Sequence, residues 1–301
     1  MELISKQTHI DFMGKFKMAL MVSALLILAG LASIAVQGGL KYGIDFAGGT
    51  LVQLKFQDPP SIDTIRKSLK AIDLGDSTIQ EFGSPNEILI RVERSKGEME
   101  ELGTLIKKEL EKSREFSEIV LERVEMVGPK VGKDLRLKAL LSIVYAIIGI
   151  VIYISWRFEL QFAVAAIIAL IHDVLVTMGA FSIMGKEFTL VVVAAFLTII
   201  GYSLNDTIVI FDRIRENARR RGKESLKDSI NTSINQTLSR TLLTSGTTLL
   251  VVIALFVLGG EIIHDFAFAL LIGVIVGTYS SIFIASVFLV FWEKRTHPKR
   301  A

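Results

Sequence analysis

The sequence of 301 residues contains no cysteine. This absence excludes a disulfide framework, a zinc–thiolate site and a thiol nucleophile, so any folded domain must be held together by its own core. The sequence also lacks the nucleotide-binding patterns GxxxxGK(S/T) and GxGxxG after a strand, the zinc-protease pattern HExxH, and any recognised nucleic-acid motif. We therefore expect no cofactor, no metal, no nucleotide site and no nucleic acid as partner.

Apolar residues, by contrast, make up 51% of the chain, and the mean hydropathy of +0.51 is higher than a soluble domain of this length normally has. A transmembrane helix needs about 20 predominantly apolar residues. Six segments meet or approach that length, and they predict an integral membrane protein with an all-α bundle of six helices. The segments are residues 18–36, 139–154, 162–184, 190–211, 242–258 and 266–292.

The positions of lysine and arginine predict the orientation of these spans, because short cytoplasmic connections carry an excess of both. Three connections are basic: the segment before the first span, the one after the fourth and the tail after the sixth. Their basic residues are Lys6, Lys15 and Lys17; Arg213, Arg215, Arg219, Arg220, Arg221, Lys223 and Lys227; and Lys294, Arg295, Lys299 and Arg300. The opposite turns, 185–189 and 259–265, offer only Lys186. Both termini are therefore predicted to be cytoplasmic.

The predicted domains follow from the spans and their orientation. They are a cytoplasmic N-terminus (1–17), the first transmembrane helix (18–36), an extracytoplasmic domain (37–138), transmembrane helices two to six (139–292) with a cytoplasmic amphipathic segment (212–240), and a cytoplasmic tail (293–301). A cleaved signal peptide is the alternative for the first span, which has a basic start and small residues near Ala32 and Ala35. Its apolar run is longer than the core of such a peptide, so we favour a retained span.

The polar insert has the hydrophobic periodicity of a compact α+β domain. Alternating runs at 49–56, 77–82, 87–93 and 119–127 predict strands, and helical spacing over 61–72 and after Gly97 predicts two helices. The element order is then βαββαβ. This order is the split βαβ, ferredoxin-like arrangement.

Ionisable residues inside a span are costly and are therefore candidates for function. Asp206 lies about 9 Å to the cytoplasmic side of the midpoint of the fourth span, at 1.5 Å per residue, and Ser203, Asn205 and Thr207 flank it as supporting polar residues. Arg240 lies about 15 Å from the midpoint of the fifth span on the same side, and its long side chain can extend inward. We therefore predict that Asp206 and Arg240 meet.

The predicted pair of Asp206 and Arg240 has two interpretations. Protonation of Asp206 would release Arg240 to another partner, which makes the pair a switch; the alternative is a static polar clasp between two helices. Asp173, beside His172 in the third span, is a further candidate for a proton path. For Asp173 we favour the alternative of a structural carboxyl bonded to serine or threonine of a neighbouring helix, since no partner charge is evident.

Four motifs, in their order and spacing, resemble the SecF family over essentially the whole chain. They are GIDFAGGT (43–50), VGPKVGKDL (127–135), GYSLNDTIVIFDRIREN (201–217) and NTSINQTLSRTLLTSGTT (231–248). The resemblance implies half of a resistance-nodulation-division (RND) type bundle, completed by a homologous SecD. It also implies that Asp206 and Arg240 match the aspartate and arginine of the family's proton relay, with a further carboxylate coming from SecD.

The same resemblance implies a function in protein export. The family uses the proton-motive force, with protons as the coupling ion, to pull preproteins emerging from the SecYEG channel of the bacterial inner membrane, after the step driven by SecA. The implied partners are SecD and SecYEG, with YidC and YajC as further candidates. Two other functions stay open at this point: half of a proton-coupled small-molecule antiporter of the same superfamily, and a non-transporting subunit for translocon assembly.

Overall fold

The structure, a computed structural model, describes residues 8–92, 99–113, 115–116, 118–220 and 225–296. Some basic residues used to predict the orientation lie outside these ranges, namely Lys6, Arg221, Lys223, Lys299 and Arg300. The chain divides into two compact units, one formed by Met1–Lys41 with Leu141–Ala301 and the other by Tyr42–Leu140. Each unit has its own hydrophobic core.

The elements alternate between long apolar helices and one block of short helices and strands. The helices are α1 (Phe16–Val36), α2 (Ile44–Ala47), α3 (Ile62–Lys70), α4 (Met99–Glu111), α5 (Pro129–Arg157), α6 (Leu160–Ile183), α7 (Leu190–Arg220), α8 (Leu226–Leu258), α9 (Glu261–Ser280) and α10 (Ser286–Thr296); the strands are β1 (Gly49–Phe56), β2 (Thr78–Phe82), β3 (Ser84–Val92) and β4 (Ile119–Val127). A π-helical turn, Ser281–Ala285, joins α9 to α10.

Six stretches of helix in the described part of the chain are long and apolar enough to cross a membrane, which confirms the predicted number of spans. They are α1, α5, α6, α7, α8 and the continuous run of α9, the π-helical turn and α10. In that turn the Ser286 hydroxyl donates to the carbonyl of Ser281, five residues earlier, at 2.8 Å. Single π-helical turns inside α-helices occur frequently at functional sites.

Two of these helices extend well beyond their apolar segments. α5 begins at Pro129, because the fixed φ of proline and its missing N–H suit the first position of a helix. α8 begins after Ser225, whose hydroxyl accepts a hydrogen bond from the Asp228 amide at 3.2 Å and so caps the helix. The amphipathic segment predicted at 212–240 is thus shared between two helices: residues 212–220 end α7, and residues 226–240 are the first half of α8.

Close backbone contact joins α1 to α6. A Cβ atom added to Gly30 would lie 2.6 Å from the Cα of Gly179, so only glycine fits at this crossing. Nearby, the hydroxyls of Ser33 and Ser182 are 2.8 Å apart, and the Gln37 amide donates to the Ser182 carbonyl at 2.8 Å. Small residues at a crossing let two transmembrane backbones approach closely, so α1 is held firmly against α6.

The second unit contains a four-stranded antiparallel sheet of order β2-β3-β1-β4. β1 lies at its centre and pairs with β3 from Thr50↔Val92 to Lys55↔Glu87. β3 begins earlier than predicted, because the turn after β2 needs only Gly83, whose φ of +74° suits glycine.

On one sheet face Lys55 lies 3.2 Å from a Glu87 carboxylate oxygen and 3.7 Å from one of Glu122. The hydrogen bond to Glu87 and both negative charges raise the pKa of Lys55.

The other face of the sheet carries the core of this unit. Side chains of β1 and β3 pack there against α3 and α4, and the buried members include Val52, Leu54, Ile65, Leu69, Ile88, Ile90, Ile106 and Leu110. Without disulfides, this packing is what stabilises the domain.

We expect Ile90→Ala to destabilise the second unit by about 2–5 kcal/mol, because Ile90 is fully buried and its truncation leaves a cavity. Val120→Ala in β4 is the matched control, since Val120 is 48% exposed. Hydrogen exchange of the full chain in nanodiscs should show faster exchange of β1 and β3 amides for Ile90→Ala only. Equal protection in the two variants would contradict this assignment of the core.

Candidate functional site

Asp206 lies in the middle of a polar contact between three helices. Its side chain, on α7, is buried with 2% exposure. From α8 the hydroxyl of Ser245 donates to Oδ2 of Asp206 at 3.1 Å, and the same hydroxyl is 2.7 Å from that of Thr278 on α9. The carboxyl is therefore held by hydroxyl groups, which can donate to a carboxylate and accept from a carboxylic acid.

The polar residues predicted to support Asp206 do not all surround it. Ser203 turns to a different carboxyl and donates to Oδ2 of Asp173 at 2.6 Å. Thr207 is buried, and its hydroxyl donates to the Ser203 carbonyl one turn earlier at 3.0 Å. Asn205 is exposed on the outer side of α7. None of the three therefore bonds to Asp206 among the described contacts: Ser203 belongs to the site of Asp173, Thr207 bonds to its own helix, and Asn205 is exposed.

Arg240 is also exposed in this conformation. Neither a hydrogen bond nor an ion pair within 4.0 Å joins its guanidinium to Asp206 in the described structure. The Thr244 hydroxyl donates to the Arg240 carbonyl at 3.0 Å, which is a helix-internal contact. The pairing of Asp206 with Arg240 stays a prediction, and it requires the guanidinium to move inward from this position.

Asp173 lies at the centre of a second buried site, between α6, α7 and α9. Its exposure is 1%, and Oδ2 is 2.6 Å from the hydroxyl of Ser203 and 2.8 Å from that of Ser280. Oδ1 is 2.9 Å from Nδ1 of His172, whose ring is also buried. Hydroxyl partners from neighbouring helices match the interpretation favoured for Asp173, and His172 adds an ionisable partner that the sequence reasoning missed.

The sequence reasoning also missed five hydroxyl residues of the apolar spans that surround the two sites. Ser23 contacts Nε2 of His172 at 3.0 Å and Tyr279 at 3.1 Å, and the five are Ser23, Ser245, Thr278, Tyr279 and Ser280. The signal for the last three was present, since the sixth span contains the run TYSS at 278–281. Hydroxyl side chains in a span can bond to their own helix as well as to a neighbour, so the run alone does not show which of them reach a carboxyl.

An open face of small and polar residues lies on α7 and α8, the two helices joined at Asp206 and Ser245. On α7 it comprises Thr198, Gly201 and Asn205, and on α8 Arg240, Thr244 and Thr247, which lie one turn apart on one side of the helix. A Cβ atom added to Gly201 would meet nothing within 4 Å. In membranes, small and polar residues concentrate where another helix packs, so this "open face" has the composition of an interface.

Among the described residues, no three histidine or acidic side chains converge as metal ligands would. What the two buried sites can do chemically is hold and release protons, since each places a carboxyl among groups that bond to both of its protonation states.

The sequence matches two family models. Residues 106–295 match "Protein export membrane protein SecD/SecF, C-terminal", and residues 32–60 match "SecD/SecF GG Motif". The chain is also similar to proteins called protein translocase subunit SecF. The one from Magnetococcus marinus is 50% identical over 304 residues, covering 100% of this chain and 97% of that protein. The one from Desulfurispirillum indicum is 54% identical over 294 residues, covering 95% and 93%.

Two solved structures resemble the fold. One is a crystal structure of SecDF, a translocon-associated membrane protein from Thermus, with a TM-score of 0.87 and 36% identity over 98% of this chain. The other is SecDF in a super-membrane-facing form, with a TM-score of 0.69 and 36% identity over 99% of this chain. In both cases the match spans 40% of the SecDF chain.

Proposed function

The chain belongs to the SecF family of protein-export membrane proteins, and on that premise we propose that it pulls preproteins across the bacterial inner membrane with energy from the proton-motive force. As a family member it is a subunit of the protein translocase, a non-catalytic membrane component. The pulling itself is our proposal. The observation that carries it is Asp206, a buried carboxyl inside a long apolar helix with hydroxyl groups of two other helices beside it.

A carboxyl buried inside a membrane span costs free energy, so a residue of this kind usually has a function. Alternating protonation of Asp206 changes its bonding to Ser245, and therefore changes what holds α7 to α8 and α9. The ionised Asp206 attracts the guanidinium of Arg240. The protonated Asp206 carries no charge and releases the guanidinium. The two states give the bundle a proton-dependent change of helix packing.

The energy available is sufficient for such a change. A proton crossing a potential of about 150 mV releases roughly 3.5 kcal/mol, at about 2.3 kcal/mol per charge per 100 mV. Moving a two-state element from 1:99 to 99:1 takes about 5.5 kcal/mol. Two protons per stroke therefore suffice, or one where a pH gradient adds enough to the potential, and a nucleotide is not needed at this step.

We propose that a SecD protein packs on the open face of α7 and α8. Two observations support this partner: the face presents Gly201, Asn205 and Arg240 where lipid would otherwise lie, and the chain matches only 40% of the SecDF chain. Small and polar side chains on a transmembrane helix concentrate where another helix packs, so a polar partner is favoured there. SecYEG, and further YidC and YajC, are proposed as partners of the assembled pair.

The second unit is proposed to be the extracytoplasmic domain that contacts the preprotein. Its βαββαβ order and its sheet order β2-β3-β1-β4, antiparallel throughout, support a ferredoxin-like fold. The position of this domain between the first two spans and the basic residues near both termini support cytoplasmic termini in the inner membrane.

Proton flux in proteoliposomes tests the proposal. With a SecD protein present, a membrane potential should drive proton uptake, and with this chain alone it should not, because part of the relay comes from the partner. Uptake by this chain alone would identify half of an antiporter instead. No uptake in either case, despite an assembled pair, would identify an assembly subunit and refute the motor.

A further inference from the structure

A buried pair, His172 and Asp173, lies apart from the hydrogen-bonding groups of Asp206. The two side chains are 5% and 1% exposed, and Nδ1 of His172 is 2.9 Å from Oδ1 of Asp173. The other ring nitrogen, Nε2, is 3.0 Å from the hydroxyl of Ser23 on α1. The imidazole therefore bridges α6 and α1, and the chemistry of the bridge depends on where its protons are.

The proton on Nε2 can be assigned by following the hydroxyl groups. The Tyr279 hydroxyl is 2.6 Å from the Ala19 carbonyl, which can only accept, so the single tyrosine proton is donated there. The Ser23 hydroxyl, 3.1 Å from the Tyr279 oxygen, then donates its own proton to that oxygen. Ser23 has no second proton, so it accepts from His172, and Nε2 must carry a hydrogen.

The remaining contact, between Nδ1 and Oδ1, needs one proton and has room for only one. Either the proton is on Nδ1, giving an imidazolium beside a carboxylate, or it is on Oδ1, giving a neutral imidazole beside a carboxylic acid. Both arrangements have a net charge of zero. Without the proton, a nitrogen lone pair and a carboxylate oxygen would face each other at 2.9 Å.

We propose that His172 and Asp173 form a second proton-binding site of the membrane bundle, which holds one proton between them and whose occupancy controls the attachment of α1. Loss of the proton leaves one negative charge, which the hydroxyls of Ser203 and Ser280 stabilise while the repelled imidazole turns away. Turning breaks the bond to Ser23, and with it a polar link between α1 and α6.

Within seven residues along the chain of Ser23, Ser203 and Ser280, the packed helices carry few other ionisable groups. α9 contributes Tyr279, whose ring stacks on His172 with centroids 6.1 Å apart. α7 contributes Tyr202 and Asp206, the latter three residues after Ser203 in the chain, and α1 contributes Lys17, six residues before Ser23. Among these groups only Asp206 is a carboxyl, and it belongs to the site already described.

Along the chain, this site is linked to two elements, the π-helical turn and α1. Thr278 and Ser280 on α9, which reach the two carboxyl sites, directly precede the π-helical turn. α1 is the helix that leads along the chain into the unit formed by Tyr42–Leu140. A proton at His172 and Asp173 therefore acts on the one transmembrane helix that precedes the second unit.

Histidine NMR of the full chain in nanodiscs tests the site without any transport. The chain has four histidines, and His172→Gln assigns the signal. We expect Nε2 of His172 to be protonated and its Nδ1 signal to change when the pair loses its proton at high pH. Asp173→Asn should abolish that change, since an amide donates to Nδ1 permanently, while Asp212→Asn on the exposed end of α7 should not. An unprotonated Nε2, or a titration unaffected by Asp173→Asn, would overturn the proposal.

The effect on export rests on the proposed function and is measured separately. With SecD, Asp173→Asn should reduce export driven by the proton gradient on the order of a hundredfold, within the range that positioned acid–base groups contribute, while the pair still copurifies. If Asp206→Asn blocks export and Asp173→Asn does not, the role of this second site in export is refuted and the motor stands. If neither variant affects export, the motor itself is refuted.

Discussion

In vesicles carrying Asp206→Asn, we expect export driven by the proton gradient to fall to background, a loss of at least about a hundredfold. Asparagine has nearly the shape of aspartate and its carbonyl can still accept from Ser245, so the helices should pack as before. The amide, however, neither ionises nor takes up a proton, so it cannot alternate between the two states. The measurement is preprotein protection from protease as a function of the imposed gradient.

The matched control is Asp212→Asn, six residues further along the same helix. Asp212 is exposed and lies 3.5 Å from the Arg157 guanidinium, an exposed pair that contributes little. We expect this variant to export at the normal rate, and both variants to copurify with SecD. Export by Asp206→Asn at the rate of this control would show that the relay assignment is wrong.

The number of spans could be predicted from the sequence because lipid imposes a length of apolar chain that few soluble segments reach. The helix ends could not. α8 continues from Leu226 through polar residues that the hydropathy pattern separates from the span, because backbone hydrogen bonding and a serine cap do not depend on apolar side chains. The central strand, Gly49–Phe56, was predicted to the residue, since its alternation follows glycines and ends before two prolines.

The candidate site, too, could be predicted from the sequence only in part. Asp206 and Asp173 could be identified from the cost of burying a carboxyl in a span, and both are buried. Their partners depend on how each helix is rotated about its axis, which the depth along the span does not determine. Ser203 thus bonds to Asp173 although it lies three residues from Asp206, and Arg240, at a suitable depth, faces outward.

Gly201→Leu tests the open face, and we expect it to weaken pairing with SecD about ten- to a hundredfold, which corresponds to overpacking by about 1–3 kcal/mol. The chain itself should tolerate the change, because a Cβ atom at Gly201 meets nothing within 4 Å. Leucine also has a higher helix propensity than glycine. The expected loss of affinity therefore comes only from the contact with the partner. Titration of the two proteins in nanodiscs measures this affinity.

Gly149→Leu is the matched control, because Gly149 on α5 is also exposed and has equally open space at its Cβ position. It lies outside the open face, so pairing of this variant with SecD should not change. If Gly201→Leu pairs with SecD as well as Gly149→Leu does, SecD does not bind at α7 and α8. The exposed Arg240 would then have no partner of this kind, and the inward movement that brings it to Asp206 would have to occur within this chain alone.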